Sequence, residues 1–412
     1  MSHRIHSALV LLMLSVSTVV ASAQSPGFKV IQPPGSDPAY SAGLLANGTL
    51  YFSGQGSTAQ GVSAQMKDAM GKVQTVLRGA GLNFGDVVWL NIYLTDNKDL
   101  PAMDDVYWQM IGSSPPARTV LTVAALPAGE KVEINGIAVA GDHKSIWPAG
   151  WPQGPRVDPP AIQAGEMLYL SAQGGKTDSD FSTETRQALE NVNAVLNAAN
   201  MSMKNVLWVN PYMTAGGQYD VMGKVYRTFF EFGNTPGRGT IQVVGLPKGQ
   251  HIVFSCIAGS DLSKRKAVRP RNMPPSPTAS PGILYGDTLY LSAKDGFIPG
   301  QGMVTQLFDL QTRQSMRNLL DGLEEVDMDF TNVVFSTVYL REMKDLSQMN
   351  ELYNKFLKPP YPARTILQQN FETGEEAAEQ ISFIAVRRQP AKAEEATSSG
   401  PKHTPTGWAA HH

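Results

Sequence analysis

Leu50-Tyr51-Phe52-Ser53 is the stretch on which the fold turns, because it returns as Leu168-Tyr169-Leu170-Ser171 and again as Leu289-Tyr290-Leu291-Ser292. Each copy reads as a short apolar and aromatic strand closed by serine. A supersecondary unit that recurs along a chain fixes its architecture before any single element does. Just upstream of the first copy, Asn47-Gly48 separates two apolar runs, a strong hairpin signal because both central residues of that turn need positive φ. Ala164-Gly165 and Tyr285-Gly286-Asp287 hold the same place later.

Downstream, each copy continues alike. Apolar residues at helical spacing come first: Met66, Met70, Val73 and Leu77; Ala188, Val192, Val195, Leu196 and Ala199; Met316, Leu319, Leu320 and Leu323. Runs 86–93, 205–212 and 332–339 then have strand composition. A shorter helix is marked by Val106-Tyr107, Val225-Tyr226 and Leu352-Tyr353. Proline turns ending in arginine follow, Pro116-Ala117-Arg118, Pro236-Gly237-Arg238 and Pro362-Ala363-Arg364, and two strands close the unit. The arginines are 238 − 118 = 120 and 364 − 238 = 126 residues apart, a regularity that chance does not supply.

This order predicts an α+β chain of three repeated domains, each a mixed β-sheet with two helices on one face, since each helix has one apolar face to bury. The other face of each sheet needs cover as well. Packing of the three sheets around a common axis, an intramolecular pseudo-trimer in a monomeric chain, would provide it; three beads on a string is the alternative. The expected divisions are 1–23 as a signal peptide, 27–143, 151–262 and 271–388 as the domains, and 389–412 as a disordered tail. Segments 143–160 and 263–281, rich in Pro, Gly and charge, read as linkers.

Composition limits the function. The chain has 412 residues, 17% of them charged, and a formal net charge of -2. No large single-sign field is available to attract polyanions, which argues against a nucleic-acid partner. Arg4, the apolar stretch Ala8 to Val20 and the small residues Ala21-Ser22-Ala23 read as a cleavable secretory signal, so export to a periplasm or secretion is expected, with no membrane association after cleavage. Cys256 is the single cysteine, so no intramolecular disulfide can form. The seven histidines show no metal-ligand spacing, and neither a metal nor a cofactor is expected.

Taken as a set, Ser53-Gly54-Gln55, Ala80-Gly81-Leu82, Asp86-Val87-Val88, Pro116-Ala117-Arg118-Thr119, Leu126-Pro127, Val132-Glu133-Ile134 and Ile137-Ala138 resemble the YjgF/RidA family over residues 28–141. The later copies resemble it more loosely, through Ser171-Ala172-Gln173, Leu246-Pro247 and Ile257-Ala258, and through Tyr361-Pro362-Ala363-Arg364 and Ile384-Ala385. The resemblance implies a chorismate mutase-like fold, homotrimers with ligand clefts between subunits, and hydrolysis of 2-imino acids to 2-keto acids and ammonia. One chain with three copies would then carry three chemically different clefts.

A 2-imino acid needs a cation for its carboxylate and a polar group to position or deprotonate water. Arg118 matches the family's carboxylate-binding arginine, and a guanidinium can grip a carboxylate through two hydrogen bonds. Glu133 matches the acidic residue and could orient water and pass protons. Tyr40 and Ser53 match the tyrosine and serine of the cleft. Asp104 stands where asparagine is frequent, adding a negative charge near the ligand, and Val120 replaces a frequent cysteine. The second copy keeps Arg238 and Ser171 but has Val253, Asp158 and Gly223 at the glutamate, tyrosine and asparagine positions. The third keeps Arg364, Ser292 and Asn350, with Gln380 opposite Glu133 and Ala279 at the tyrosine position. The first-copy set Arg118, Glu133, Tyr40, Ser53 and Asp104 is therefore the expected catalytic site, and Arg238, Arg364, Ser292 and Asn350 are weaker substrate-binding candidates. Which neighbouring copy faces Arg118 stays open. So does the choice between imine deaminase and an exported, non-catalytic module that binds small carboxylates or a protein; ribonuclease activity fits least, for want of a His-based acid/base pair.

Overall fold

The computed structural model describes residues 27–214, 216–274, 276–371 and 377–388. The segments read from sequence as a signal peptide, 1–23, and as a tail, 389–412, therefore lie outside the described residues. Three large mixed sheets run along the chain. In the first, the spatial order is Phe28–Ile31, Gly43–Ala46, Thr49–Gly56, Val132–Val139, Val87–Leu94, Ala117–Thr122. All neighbours are antiparallel except the last pair, which is parallel. The third sheet repeats that order with Arg265–Val268, Gly282–Tyr285, Thr288–Leu291, Glu379–Val386, Val333–Leu340 and Ala363–Gln368. In the second, the last strand is broken into Gly237–Arg238 and Ile241–Gln242.

The linkers are shorter than the sequence suggested. His143–Ile146 pairs with Ala161–Ala164, and Arg265–Val268 pairs with Gly282–Tyr285, each forming the outer strand of the next sheet as Phe28–Ile31 does for the first. The second and third sheets thus begin before residues 151 and 271. Charged residues such as Lys144 and Lys266 hid these strands, but an outer strand needs only one apolar face.

Each repeat places a long helix and a short one on one sheet face: α1 (Val62–Gly79) with α2 (Leu100–Met110), α3 (Phe181–Ala198) with α4 (Tyr219–Tyr226), and α5 (Phe308–Glu324) with α6 (Leu346–Phe356). Strand alternation sorts the side chains between two cores. Leu50 and Phe52 join Met66, Met70, Val73 and Leu77 under the helices. Tyr51 points the other way, into a core shared with Tyr169, Tyr290, Trp89, Trp208 and Phe335, so that all three sheets contribute to it. Each buried aromatic contributes about 1.5–3 kcal/mol. The indole N–H groups of Trp89 and Trp208 are satisfied across repeats, by Ser255 Oγ at 3.3 Å and the Leu291 carbonyl at 3.1 Å. A second shared core of Tyr93, Leu121, Tyr212, Ile241, Tyr339 and Leu367 lies further along the strands.

Candidate active site

A β-bulge opens the site. Between Phe52 and Gln55 the pairing with Val132–Val139 slips, so Ser53 and Gly54 are re-aimed out of the regular ladder. The Ser53 hydroxyl donates to the Ser41 carbonyl and accepts the backbone N–H of Arg364 at 2.8 Å. The other serines do the same. Ser171 donates to Pro159 and accepts the Arg118 N–H at 2.9 Å; Ser292 donates to Ser280 and accepts the Arg238 N–H at 2.8 Å. Each arginine strand is clasped to the bulge of the following repeat, and the third returns to the first. Ser53 and Ser292 are thus joints between repeats, their hydroxyl protons already committed.

This pairing redistributes the expected site residues. Arg118 does not meet Glu133, Tyr40 or Ser53. It meets the second repeat, where its Nε and Nη2 donate to Asp158 Oδ2 at 3.0 and 2.8 Å, while Nη1 donates to Asp104 Oδ1 at 2.5 Å. The guanidinium rests on the Tyr107 ring, 4.2 Å from its centroid, and the side chain is 7% exposed. Burial alone would lower its pKa, but Asp158, Tyr107 and Asp104 outweigh that and drive it up. Two internal carboxylates thus occupy the cation expected to bind substrate. Asp104 serves as an ion-pair partner there, and Val253 stands where this cleft would need an acid.

Glu133, Tyr40 and Ser53 instead face Arg364. The Arg364 guanidinium lies 5.5 Å from the Tyr40 ring centroid and 4.8 Å from that of Tyr353, and Nη2 donates to Asn350 Oδ1 at 2.7 Å. Its Nε and Nη1 are buried without a hydrogen-bond partner. Burial lowers its pKa against the pull of Tyr353, Tyr40 and Asp37. An arginine remains a cation under such a shift. Among the described residues no carboxylate forms an ion pair with it.

Glu133 is buried, and burial, with the charge of Glu130 nearby, pushes its pKa well above the carboxylate range, opposed by Arg364. Its Oε2 has no hydrogen-bond partner. The carboxyl lies flat against Gly54, where an added Cβ would fall 1.5 Å from Oε1. A cavity of about 850 Å³ opens beside it, lined among others by Tyr40, Gly54, Gln55, Lys72, Glu130 and Glu133. Burial raises the Tyr40 hydroxyl to about 12 and Glu130 to about 6. Tyr40 therefore stays a neutral hydrogen-bond donor.

The third arginine, Arg238, rests on the rings of Tyr219 and Tyr226, with Nη2 donating to the Tyr219 hydroxyl at 2.5 Å. Gln380 and Ala279 line its cleft, in place of the acid and tyrosine of the cleft around Arg364. Strand register supports that correspondence, since Glu133, Val253 and Gln380 pair with Tyr93, Tyr212 and Tyr339 in their sheets. Glu379, one residue earlier, faces the helix layer, accepts the Ser315 hydroxyl and is raised by burial to about 8. Tyr107, Tyr226 and Tyr353, read from sequence only as markers of the short helices, are the platforms on which the three arginines lie. Their common spacing to the arginine, 11 or 12 residues upstream, was the available signal. Among the described residues no cluster of His, Cys, Asp and Glu is placed to hold a metal ion.

The sequence model described as Endoribonuclease L-PSP matches residues 31–140, 156–259 and 272–374, and the chain belongs to this family. The three matches fall on the three repeats. A 2-iminobutanoate/2-iminopropanoate deaminase from Capra hircus is 37% identical over 134 residues, covering 31% of this chain and 92% of the relative. The Homo sapiens protein of the same description is 34% identical over the same length and coverage. A chorismatase crystal structure aligns with TM-score 0.52 over 73% of this chain and 93% of that one at 12% identity, a likeness of fold alone.

Proposed function

We propose that the chain is an imine deaminase whose working site lies between the third and first repeats, and that the three repeats form an intramolecular pseudo-trimer. The observation that carries the reading is the buried Arg364 guanidinium, with two nitrogens unpaired, facing the only repeat that has the acid Glu133. The relatives at 37% and 34% identity, named as imine deaminases, support the same chemistry.

In this reading Arg364 holds the carboxylate of a small 2-imino acid, oriented by Asn350 and Tyr353. Glu133, neutral because burial disfavours its charge, donates its proton to the imine nitrogen and makes the adjoining carbon more electrophilic. The resulting carboxylate takes a proton from the water that adds to that carbon. Glu133 then gives that proton to the amino nitrogen, the C–N bond breaks to release ammonia, and the hydroxyl proton returns to Glu133 as the C=O of the 2-keto acid forms, so that Glu133 ends the cycle protonated. Tyr40 donates a hydrogen bond from the cavity wall. No cofactor enters this scheme. The compartment is proposed from residues 1–23 alone: an exported protein, periplasmic or secreted.

The test is to generate 2-iminopropanoate in situ and follow pyruvate release by intact protein and by Glu133→Gln. Release above the buffer rate that disappears in the variant is the expected result. If the intact protein does no better than buffer while a small carboxylate still raises its melting temperature, the chain is a binding module.

A further inference from the structure

The cleft between the second and third repeats has a cation of its own, Arg238, and a lysine, Lys294, on the same cavity wall. Its cavity of about 490 Å³ is lined among others by Arg238, Tyr219, Ser292, Lys294, Asp295 and Gln380. Arg238 is 7% exposed, its Nη1 is buried with no hydrogen-bond partner, and no described carboxylate forms an ion pair with it. Its Nη1 is thus available to a carboxylate ligand that enters the cavity.

Lys294 follows the bulge serine by two residues, where the other repeats carry Gln55 and Gln173. Those glutamines turn back on their own strands, donating to the carbonyls of Ser53 at 3.2 Å and Ser171 at 2.9 Å. The Lys294 side chain makes no hydrogen bond or ion pair with any described residue. Its backbone is pinned on both sides. The N–H donates to the Ile381 carbonyl and the carbonyl accepts the Ile381 N–H, both at 2.8 Å, while the preceding Ala293 N–H donates to the Arg238 carbonyl at 3.0 Å. The lysine and arginine segments are therefore clasped together on one cavity wall.

We propose that this second cleft captures a small 2-oxo acid as a Schiff base, with Arg238 holding the carboxylate and the Lys294 amine bonding the carbonyl carbon. Burial lowers the lysine pKa, against the opposing charge of Asp295, which raises the share of neutral nucleophilic amine. A desolvated lysine is a recognised route to imine formation. The Nζ lone pair adds to the carbonyl carbon, and a proton passes from nitrogen to oxygen to give the carbinolamine. That oxygen then leaves as water with a second proton, and C=N replaces C=O. Asp295, whose own pKa burial raises, lines the cavity and can carry both protons. The step needs no oxidant or reductant and does not rest on hydrolysis at the cleft around Arg364.

The experiment incubates the full chain with pyruvate and sodium borohydride, which reduces an imine to a stable amine, and locates the adduct by peptide mass spectrometry. Capture predicts one dominant adduct, on Lys294. Arg238→Gln lowers it by about tenfold or more, the loss expected for a charge-assisted anchor. Lys294→Gln, which restores the residue of the other repeats, abolishes it at an unchanged melting temperature. Adducts spread over exposed lysines, or labelling of Lys294 that is indifferent to Arg238, would overturn the proposal.

Discussion

The backbone N–H of Arg364 donates to the Ser53 hydroxyl at 2.8 Å across 311 residues of sequence. That contact brings the arginine of the last repeat to the acid of the first, and the equivalent contact carries Arg118 away to the second repeat. Replacing Ser53 by Ala removes the acceptor of a buried N–H, a loss of about 1–3 kcal/mol. Because the clasp sits at the proposed site, Ser53→Ala should lower the melting temperature and weaken stabilisation by added pyruvate together. A variant as stable as the parent would show that the clasp is dispensable.

Gly54 and Glu133 form a matched pair. The repeats that lost the glutamate, with Val253 and Gln380 in its place, have Ala172 and Ala293 where the first has Gly54. Gly54→Ala should therefore displace the Glu133 carboxyl and cut turnover as severely as Glu133→Gln, by roughly 10²–10⁴-fold for loss of a general acid/base. Steady-state rates of pyruvate release on the two variants and their double mutant check this. If the losses multiply in the double mutant, the two residues do not act as one unit.

Turnover should depend on pH with a definite sign. The mechanism needs the neutral Glu133 carboxyl, whose pKa is raised by burial. The rate should therefore hold on the acid side and fall as pH rises through that raised pKa. A pH–rate profile rising toward alkali would exclude Glu133 as the proton donor.

Glu379 gives a separate signature in stability. Its pKa is raised from 4.5 to about 8 when folded, so between those values the native chain keeps a proton that the unfolded chain sheds. Its stabilising contribution is complete below about pH 4.5 and is lost as pH rises to about 8, with a slope of up to about 1.4 kcal/mol per pH unit for one proton. Denaturant melts across that range should show the decline, and Glu379→Gln should flatten it.

The fold was legible because strand, hairpin and helix signals are local and recur three times. The site was legible only in its parts. Glu133, Tyr40, Asn350 and Arg364 each stand at a position that the family resemblance picks out, yet that resemblance groups Arg118 with Glu133 because both belong to the first copy. Their separation in space follows from the clasp, a contact between repeats that no local pattern encodes. One signal was there to be used: Asp104 and Asp158 fill the asparagine and tyrosine positions of what proves to be a single cleft, and two acids beside one arginine mark it as neutralised. The edge strands His143–Ile146 and Arg265–Val268 escaped notice for the opposite reason, since exposed charge on one face resembles a linker.

The sharpest comparison is pyruvate release from 2-iminopropanoate by Arg364→Gln and Arg118→Gln, each rate normalised to folded protein. Arg118→Gln leaves Asp104 and Asp158 facing each other and should cost up to about 3 kcal/mol of stability, tempered by their partial exposure. It should nonetheless turn over at close to the parental rate, while Arg364→Gln should lose nearly all activity. Full activity in Arg364→Gln together with loss in Arg118→Gln would return the site to the first arginine and contradict the placement between the third and first repeats.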